Sequence, residues 1–307
     1  MLKVRLEYIH PWTNHAGMYL ARERGWYAEH GLDVEFTSGD SFRGSPAALL
    51  SRGEYDVALV RHNDLFTHQG GDTGLVSVAV LNQCQVGGVV TRRGSGITRF
   101  RDLQGRRVGF PAAAHRLFAE LKEAMAKDGG DFDAIDIVPA GAWEPDFRSL
   151  ESGQFDAFVN VVWWEPFQGS GPLDQVVTLP FDDLGIAPHY SYYVCVRREF
   201  LRRNPVVVRD FLEATARGYR MAADDHEAAL QALQAPLANV NPEVIRHTLG
   251  IIEPTWFDAQ GHWGPADIDF VRRYNHWMTL QGFMTVPEDV SLAAIDAGVV
   301  TNEYLPW

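Results

Sequence analysis

Two short stretches carry residue types that could read a small flat molecule. Val161-Val162-Trp163-Trp164-Glu165-Pro166-Phe167 sets a carboxylate between two indoles and a Pro-Phe pair. A carboxylate in such apolar company is costly to desolvate unless a donor meets it. A planar ligand with N–H groups on its edge would do so: the rings sandwich its plane and Glu165 accepts the amino hydrogens. The bland alternative is a surface Glu165 beside core tryptophans. In Pro11-Trp12-Thr13-Asn14-His15, Trp12 could stack on a ring, while Asn14 and His15 offer directional hydrogen bonds. Here the bland alternative is a helix cap with a histidine packed on the helix start. Pro188-His189-Tyr190-Ser191-Tyr192-Tyr193 adds further rings.

Elements that could position these residues are legible along the chain. Lys3–Ile9 alternates as a strand, residues 10–15 form a loop, and Ala16–His30 reads as a helix stopped at Gly31. Leu32–Phe36 then reads as a second strand, which makes a βαβ unit and implies parallel pairing. The Pro11–His15 loop thereby falls at a strand's carboxyl end and a helix start, where open α/β sheets collect ligands. Leu50-Ser51-Arg52-Gly53-Glu54-Tyr55-Asp56 is echoed by Leu150-Glu151-Ser152-Gly153-Gln154-Phe155-Asp156, each followed by an apolar strand. With Arg106–Phe110 as a further strand start, two similar α/β lobes are expected. Lobe I would comprise residues 1–91 and 193–307, and lobe II residues 92–192. The chain would cross between them near Val89–Gly96 and Pro188–Val196. After Phe200, apolar spacing predicts helices over Pro205–Ala223, His226–Leu237, Pro242–Gly250 and Ala266–Gly282.

Composition removes several functional classes. The 307 residues are 46% hydrophobic and 22% charged, which permits a sizeable core. Forty acidic side chains against 27 basic ones give a formal charge of −13, unsuited to nucleic acid or an anionic surface. Arg92, Arg93, Arg106 and Arg107 read as a solvated basic group. No apolar run approaches a membrane span. His10, His15, His62 and His68 show no metal-ligand spacing, Gly94-Ser95-Gly96 lacks a phosphate-loop lysine, and no Gly-x-Ser-x-Gly elbow occurs. Neither metal nor cofactor is expected. Cys84 and Cys195 sit in strand-like apolar surroundings and read as core thiols. The start at Met1 shows no signal pattern, so the chain is either cytoplasmic or the product of signal removal.

Thr13-Asn14-His15-Ala16-Gly17-Met18-Tyr19-Leu20-Ala21, then Gly25-Trp26-Tyr27 and Gly31-Leu32-Asp33-Val34, resemble one family. They look like the substrate-binding proteins of ABC importers that capture thiamine-precursor pyrimidines. Riboflavin- and sulfonate-binding proteins and the fungal hydroxymethylpyrimidine phosphate synthase belong to the same superfamily. The closing Thr301-Asn302-Glu303-Tyr304-Leu305, Gly94-Ser95-Gly96-Ile97 and Leu103-x-Gly105-x-x-Val108-Gly109 extend the resemblance over nearly the whole chain.

The resemblance implies an α/β fold of the two-lobed type II periplasmic-binding-protein kind. Each lobe would be a mostly parallel sheet flanked by helices, with the ligand in the cleft. It matches Val162-Trp163-Trp164-Glu165 to the family's pyrimidine-holding segment, Asn14 and His15 to its Asn-His pair, and Tyr190 to an aromatic after the second crossing. Where the branch opens with Asp-Trp, this chain has Glu7-Tyr8. The candidate ligand contacts are therefore Trp12, Asn14, His15, Arg61, Trp163, Trp164, Glu165 and Tyr190. The synthase would need a lysine and a histidine where this chain has Val60 and Asp64, and Ile186–Tyr190 lacks its cysteine tract. The expected function is capture of a planar heterocycle, with an ABC permease as partner and no catalysis. The alternatives are a cytoplasmic enzyme or sensor on the same fold, with His15, His62, Asp64 and Glu165 as acid–base groups, or a binder of another flat ligand such as riboflavin.

Overall fold

A computed structural model describes residues 1–39, 43–111, 115–140, 146–167 and 173–307; the side chains of His115 and Glu165 are outside the description. The chain forms two compact units: residues 1–84, 189–242 and 252–307 make the first, and residues 85–188 and 243–251 the second. The boundaries expected after residues 91 and 192 thus fall after Cys84 and Pro188, and residues 243–251 count with the second unit.

In the first unit, β1 (Leu2–Arg5) leads through a loop to α1 (Ala16–Glu23), α2 (Trp26–Glu29) and β2 (Val34–Thr37). The single helix expected over Ala16–His30 is broken because Gly25 adopts φ 74, a left-handed conformation that ends the hydrogen-bond ladder. Next come α3 (Pro46–Ser51), β3 (Val57–Val60), α4 (His62–Thr67) and β4 (Leu75–Val80). Ser45 caps α3 by accepting from the Ala48 N–H at 3.2 Å, and Pro46 occupies the first turn, where its missing N–H costs nothing.

The second unit contains β5 (Gly87–Arg92), β6 (Arg107–Phe110), α5 (His115–Lys127), β7 (Asp136–Pro139), α6 (Phe147–Glu151), β8 (Ala157–Val161) and β9 (Val176–Pro180). The crossing expected near Val89–Gly96 begins within β5, which is an inner strand of the second unit's sheet. A Cβ on Gly88 would lie 2.5 Å from the Leu179 carbonyl oxygen, so glycine permits the close pairing of β5 with β9. The chain then adds β10 (Tyr193–Arg197), α7 (Arg198–Arg203), α8 (Pro205–Asp224) and α9 (His226–Gln234) to the first unit. Of α10 (Pro242–Ile252), residues 243–251 belong to the second unit, while α11 (Ile268–Leu280) and α12 (Glu288–Asp296) complete the first.

The two sheets share one plan. The strand orders are β2-β1-β3-β10-β4 and β7-β6-β8-β5-β9, and in each the fourth strand runs antiparallel to its neighbours. The echoed sequence marks equivalent places. Gly53 and Gly153 take φ 78 and 72 after α3 and α6, and β3 and β8 follow. Asp56 accepts from the Lys3 N–H at 2.9 Å, and Asp156 from the Arg107 N–H at 2.8 Å. Each aspartate thereby ties its own strand to the start of the parallel neighbour.

Two glycines bring α1 against α8. A Cβ on Gly17 would lie 2.5 Å from the Tyr219 ring, and one on Gly218 would strike the Gly17 carbonyl oxygen. That approach lets the Tyr219 hydroxyl donate to the Asn14 carbonyl at 2.6 Å, fixing the helix start that follows the β1 loop. Cys195 is a core thiol whose pKa burial pushes up, whereas Cys84 is only half-buried.

Candidate functional site

The carboxyl ends of β1, β3 and β4 share one edge of the first sheet with the segment entering antiparallel β10. That edge collects Trp12, Asn14, His15, Arg61 and Tyr190. The strand expected to reach Ile9 ends at Arg5, because the Arg5 guanidinium takes over the loop's carbonyls. It donates to Leu6 at 2.6 Å, Tyr8 at 3.4 Å, Thr37 at 3.3 Å and Gly39 at 2.9 Å, pinning the loops after β1 and β2 together.

Freed from the sheet, Glu7 turns inward, and its side chain is only 2% exposed. One carboxylate oxygen accepts from Trp12 Nε1 at 2.7 Å and the other bonds His15 Nε2 at 2.8 Å. The Trp12 backbone N–H donates to His15 Nδ1 at 3.2 Å, so Nε2 bears the proton and donates to Glu7. Burial pushes the Glu7 carboxyl's pKa up, but the pull of His15 and the hydrogen bonds from His15 and Trp12 outweigh it and hold the pKa below the ordinary value.

Asn14 is equally committed inside the protein. Its amide exchanges hydrogen bonds with Asn82 at 2.8 and 2.9 Å, and its Oδ1 also accepts from Trp256 Nε1 at 2.9 Å. Asn82 donates onward to Thr255 Oγ1 at 2.8 Å. Asn14 and His15 have no exposed surface, so both set the position of the loop and helix start rather than presenting groups at the edge. Trp12 is buried too, at 2% exposure. The accessible rings of this loop are the half-buried Tyr8 and His10, edge-on to each other at 4.8 Å, with Tyr8 tilted against Trp12 at 6.5 Å. The sequence marks Glu7-Tyr8 only as a departure from the branch's Asp-Trp opening, and neither stands among the expected ligand contacts; their signal is a carboxylate and a phenol at a strand's end.

Arg61 is exposed at the start of α4. Tyr190, by contrast, belongs to the first unit's core, where its hydroxyl accepts from the Asp267 N–H at 2.8 Å and caps the approach to α11. Of the acid–base candidates, His15 and His62 are both buried in the first unit. His62 is packed among Phe66, Tyr193 and Tyr274, and burial pushes its pKa down to about 3. Val60 is the buried last residue of β3, and Asp64 lies in the first turn of α4.

In the second unit, the carboxyl ends of β6 and β8 share an edge with the start of antiparallel β5. Trp163 and Trp164 follow β8 there; both are buried, Trp164 completely. Glu165 opens the turn Glu165–Phe167, and its side chain falls outside the described residues. Phe167 at the end of this turn packs edge-on to His247 of α10 at 4.7 Å. Two polar groups unforeseen from sequence stand at the same edge. Asn160, the polar member of β8, uses Oδ1 to accept from the Val161 N–H at 2.7 Å, leaving its buried Nδ2 without a partner. Gln85 donates from Nε2 to the carbonyls of Ile186 and Ala187, leaving its buried Oε1 unmatched. Ala187 sits at φ 39, the left-handed region, beside this bond. A buried orphan donor or acceptor costs about 1–3 kcal/mol, so each points to a missing partner.

Two parallel-rich α/β sheets, with aromatic and amide groups at their carboxyl edges, define a ligand-binding class of protein. Residues 12–229 match the family described as NMT1/THI5 like, and the chain belongs to it. It is 25% identical over 288 residues to the formylaminopyrimidine-binding protein of Halalkalibacterium halodurans, covering 91% of this chain and 84% of that one. It is 23% identical over 241 residues to the 4-amino-5-hydroxymethyl-2-methylpyrimidine phosphate synthase of Schizosaccharomyces pombe, covering 73% of this chain and 63% of that protein. Among solved structures, the periplasmic aliphatic sulphonate binding protein SsuA from Escherichia coli superposes with a TM-score of 0.67 at 18% identity, covering 95% of this chain and 96% of that one. The fold is that of the periplasmic binding proteins. No helix among the described residues is long and apolar enough to cross a membrane.

Proposed function

We propose that this protein is a solute-binding protein that captures a small planar heterocycle, a thiamine-precursor aminopyrimidine, for an ABC importer. The observation that carries the reading is the Glu7–Trp12–His15 group, where the edge's carboxylate and imidazole hold a buried indole instead of facing outward. Such an arrangement makes a stiff aromatic support for Tyr8 and leaves neither group placed to move a proton on a ligand. The similarity to a formylaminopyrimidine-binding protein over most of both chains supports the same ligand class. In this reading the first unit's edge offers Tyr8 to stack on a flat ring and Arg61 to meet a polar substituent, and the second unit's edge separately offers the amides of Asn160 and Gln85 and the carboxylate of Glu165 as edge-reading groups. Extracytoplasmic residence and a permease partner follow from that role.

Similarity to the fungal synthases favours an enzyme as the second reading. Val60 supports the binding role, since it supplies no amine where the resemblance calls for the synthase's lysine. Mass spectrometry of small molecules released from the purified protein by denaturation tests both. An unaltered aminopyrimidine or its formylamino analogue supports capture. A bound flavin or alkanesulfonate would replace the pyrimidine assignment, and a phosphorylated pyrimidine product would favour the synthase.

A further inference from the structure

His30, Asp210 and Glu213 form a separate group on the first unit, and their ligand atoms all lie within 4.8 Å of one another. Asp210 and Glu213 are three residues apart on α8 and therefore share a helix face. His30 closes α2, and Gly31 at φ 72 turns the chain away directly after it. The His30 Nδ1 to Asp210 Oδ1 distance is 3.4 Å. Donors held about 2.1 Å from a tetrahedral ion stand about 3.4 Å apart, so this pair is already spaced as one edge of such a site.

Charge balance adds a second argument. The neighbouring arginines are engaged elsewhere: Arg217 pairs with Glu29 at 2.8 Å and lies 4.1 Å over the Trp26 ring, and Arg209 reaches Glu303 at 3.6 Å. Among the described residues, no arginine or lysine pairs with Asp210 or Glu213. Two carboxylates on one helix face thus have a single imidazole and no paired arginine or lysine among the described residues, with His30 and Asp210 only 28% and 27% exposed.

We propose that His30, Asp210 and Glu213 bind one divalent first-row transition-metal ion, with zinc the best match and solvent completing the coordination. One imidazole nitrogen with two carboxylates suits zinc, whereas magnesium and calcium favour all-oxygen sets. The ion would tie the end of α2 to α8 and raise the stability of the first unit by binding only the folded chain.

Calorimetric titration of the full, untagged, chelator-stripped protein with Zn²⁺ tests this, with Co²⁺ absorbance reporting coordination geometry. One ion per chain is expected, with a tetrahedral cobalt spectrum and no response to Mg²⁺. His30→Gln, Asp210→Asn and Glu213→Gln should each weaken binding tenfold or more, and all three replace side chains with exposed surface. Should any variant fail to fold, the thermal shift that Zn²⁺ produces in the parent should vanish in the Asp210→Asn/Glu213→Gln double variant. Two other histidine–carboxylate pairs, His262–Asp258 at 3.8 Å and His276–Glu288 at 2.7 Å, provide the control. Absence of zinc binding by the parent would overturn the proposal. So would binding that survives His30→Gln but is lost on His262→Gln or His276→Gln.

Discussion

Glu7→Gln alters a single atom of the buried group and breaks its hydrogen-bond parity. The carboxylate accepts twice, from Trp12 Nε1 at 2.7 Å and His15 Nε2 at 2.8 Å. A glutamine amide accepts with one end only, and its NH₂ must then face a second donor. Switching the His15 tautomer relieves that clash but moves a proton onto Nδ1, where the Trp12 backbone N–H already points. One donor–donor contact therefore remains in every arrangement. Losing one charge-assisted bond and burying an unmatched donor should cost about 2–4 kcal/mol. For units of this size that lowers the melting temperature by roughly 4–16 °C. The pH dependence supplies an independent sign. Glu7's folded pKa is lowered, so its contribution is complete above the unfolded-state pKa of about 4.3 and is lost as pH falls through the folded value. Thermal melts of parent and variant should differ most near neutrality and begin to converge only as pH falls below the unfolded-state pKa. A variant melting within 2 °C of the parent at pH 7, with unchanged ligand affinity, would refute the reasoning.

Other substitutions separate support from recognition. Tyr8→Ala should weaken every flat ligand alike by about 0.5–1.5 kcal/mol of lost ring contact while leaving the melting temperature within 2 °C, read by calorimetry and thermal melts. Glu165→Gln should weaken an aminopyrimidine about ten- to a hundredfold and a ring lacking the amino group much less, in parallel titrations. Trp164→Ala removes a fully buried indole and should cost about 3–5 kcal/mol by denaturant unfolding, so its effect on binding must be read from the folded fraction. Gly218→Ala drives a methyl group into the Gly17 carbonyl and should cost about 1–3 kcal/mol, whereas Gly250→Ala, with open space around it, should not destabilise the protein.

The paired glycine–aspartate strings were legible as an architectural repeat because their roles are local. A left-handed glycine ends a helix, and an aspartate five residues after the helix binds the adjoining strand start. The roles of Asn14 and His15 were less legible, since the groups that satisfy them come from elsewhere. Asn82 is 68 residues from Asn14 and Trp256 is 242 residues away, so a pattern of neighbours could not show that Asn14's amide is already occupied. Glu7 continued the apparent alternation of β1, and only the buried Arg5 explains why the backbone leaves the sheet there. Tyr190 was placed by resemblance at the ligand, while the structure gives its hydroxyl to the Asp267 N–H and its ring to the core. Asn160 and Gln85 carry no signature in the sequence, because an isolated amide near a strand has no distinctive spacing; their buried, unmatched polar atoms mark them in the fold.

Pyrimidine capture is tested most directly by calorimetric titration of ligand-stripped protein. The titrants are 4-amino-5-hydroxymethyl-2-methylpyrimidine, its formylamino analogue and the corresponding ring without the amino group. Saturable binding of one molecule per chain, at least tenfold tighter for the amino-bearing rings, is the predicted result. No saturable heat with any of the three, or equal affinity for the ring lacking the amino group, would contradict the account.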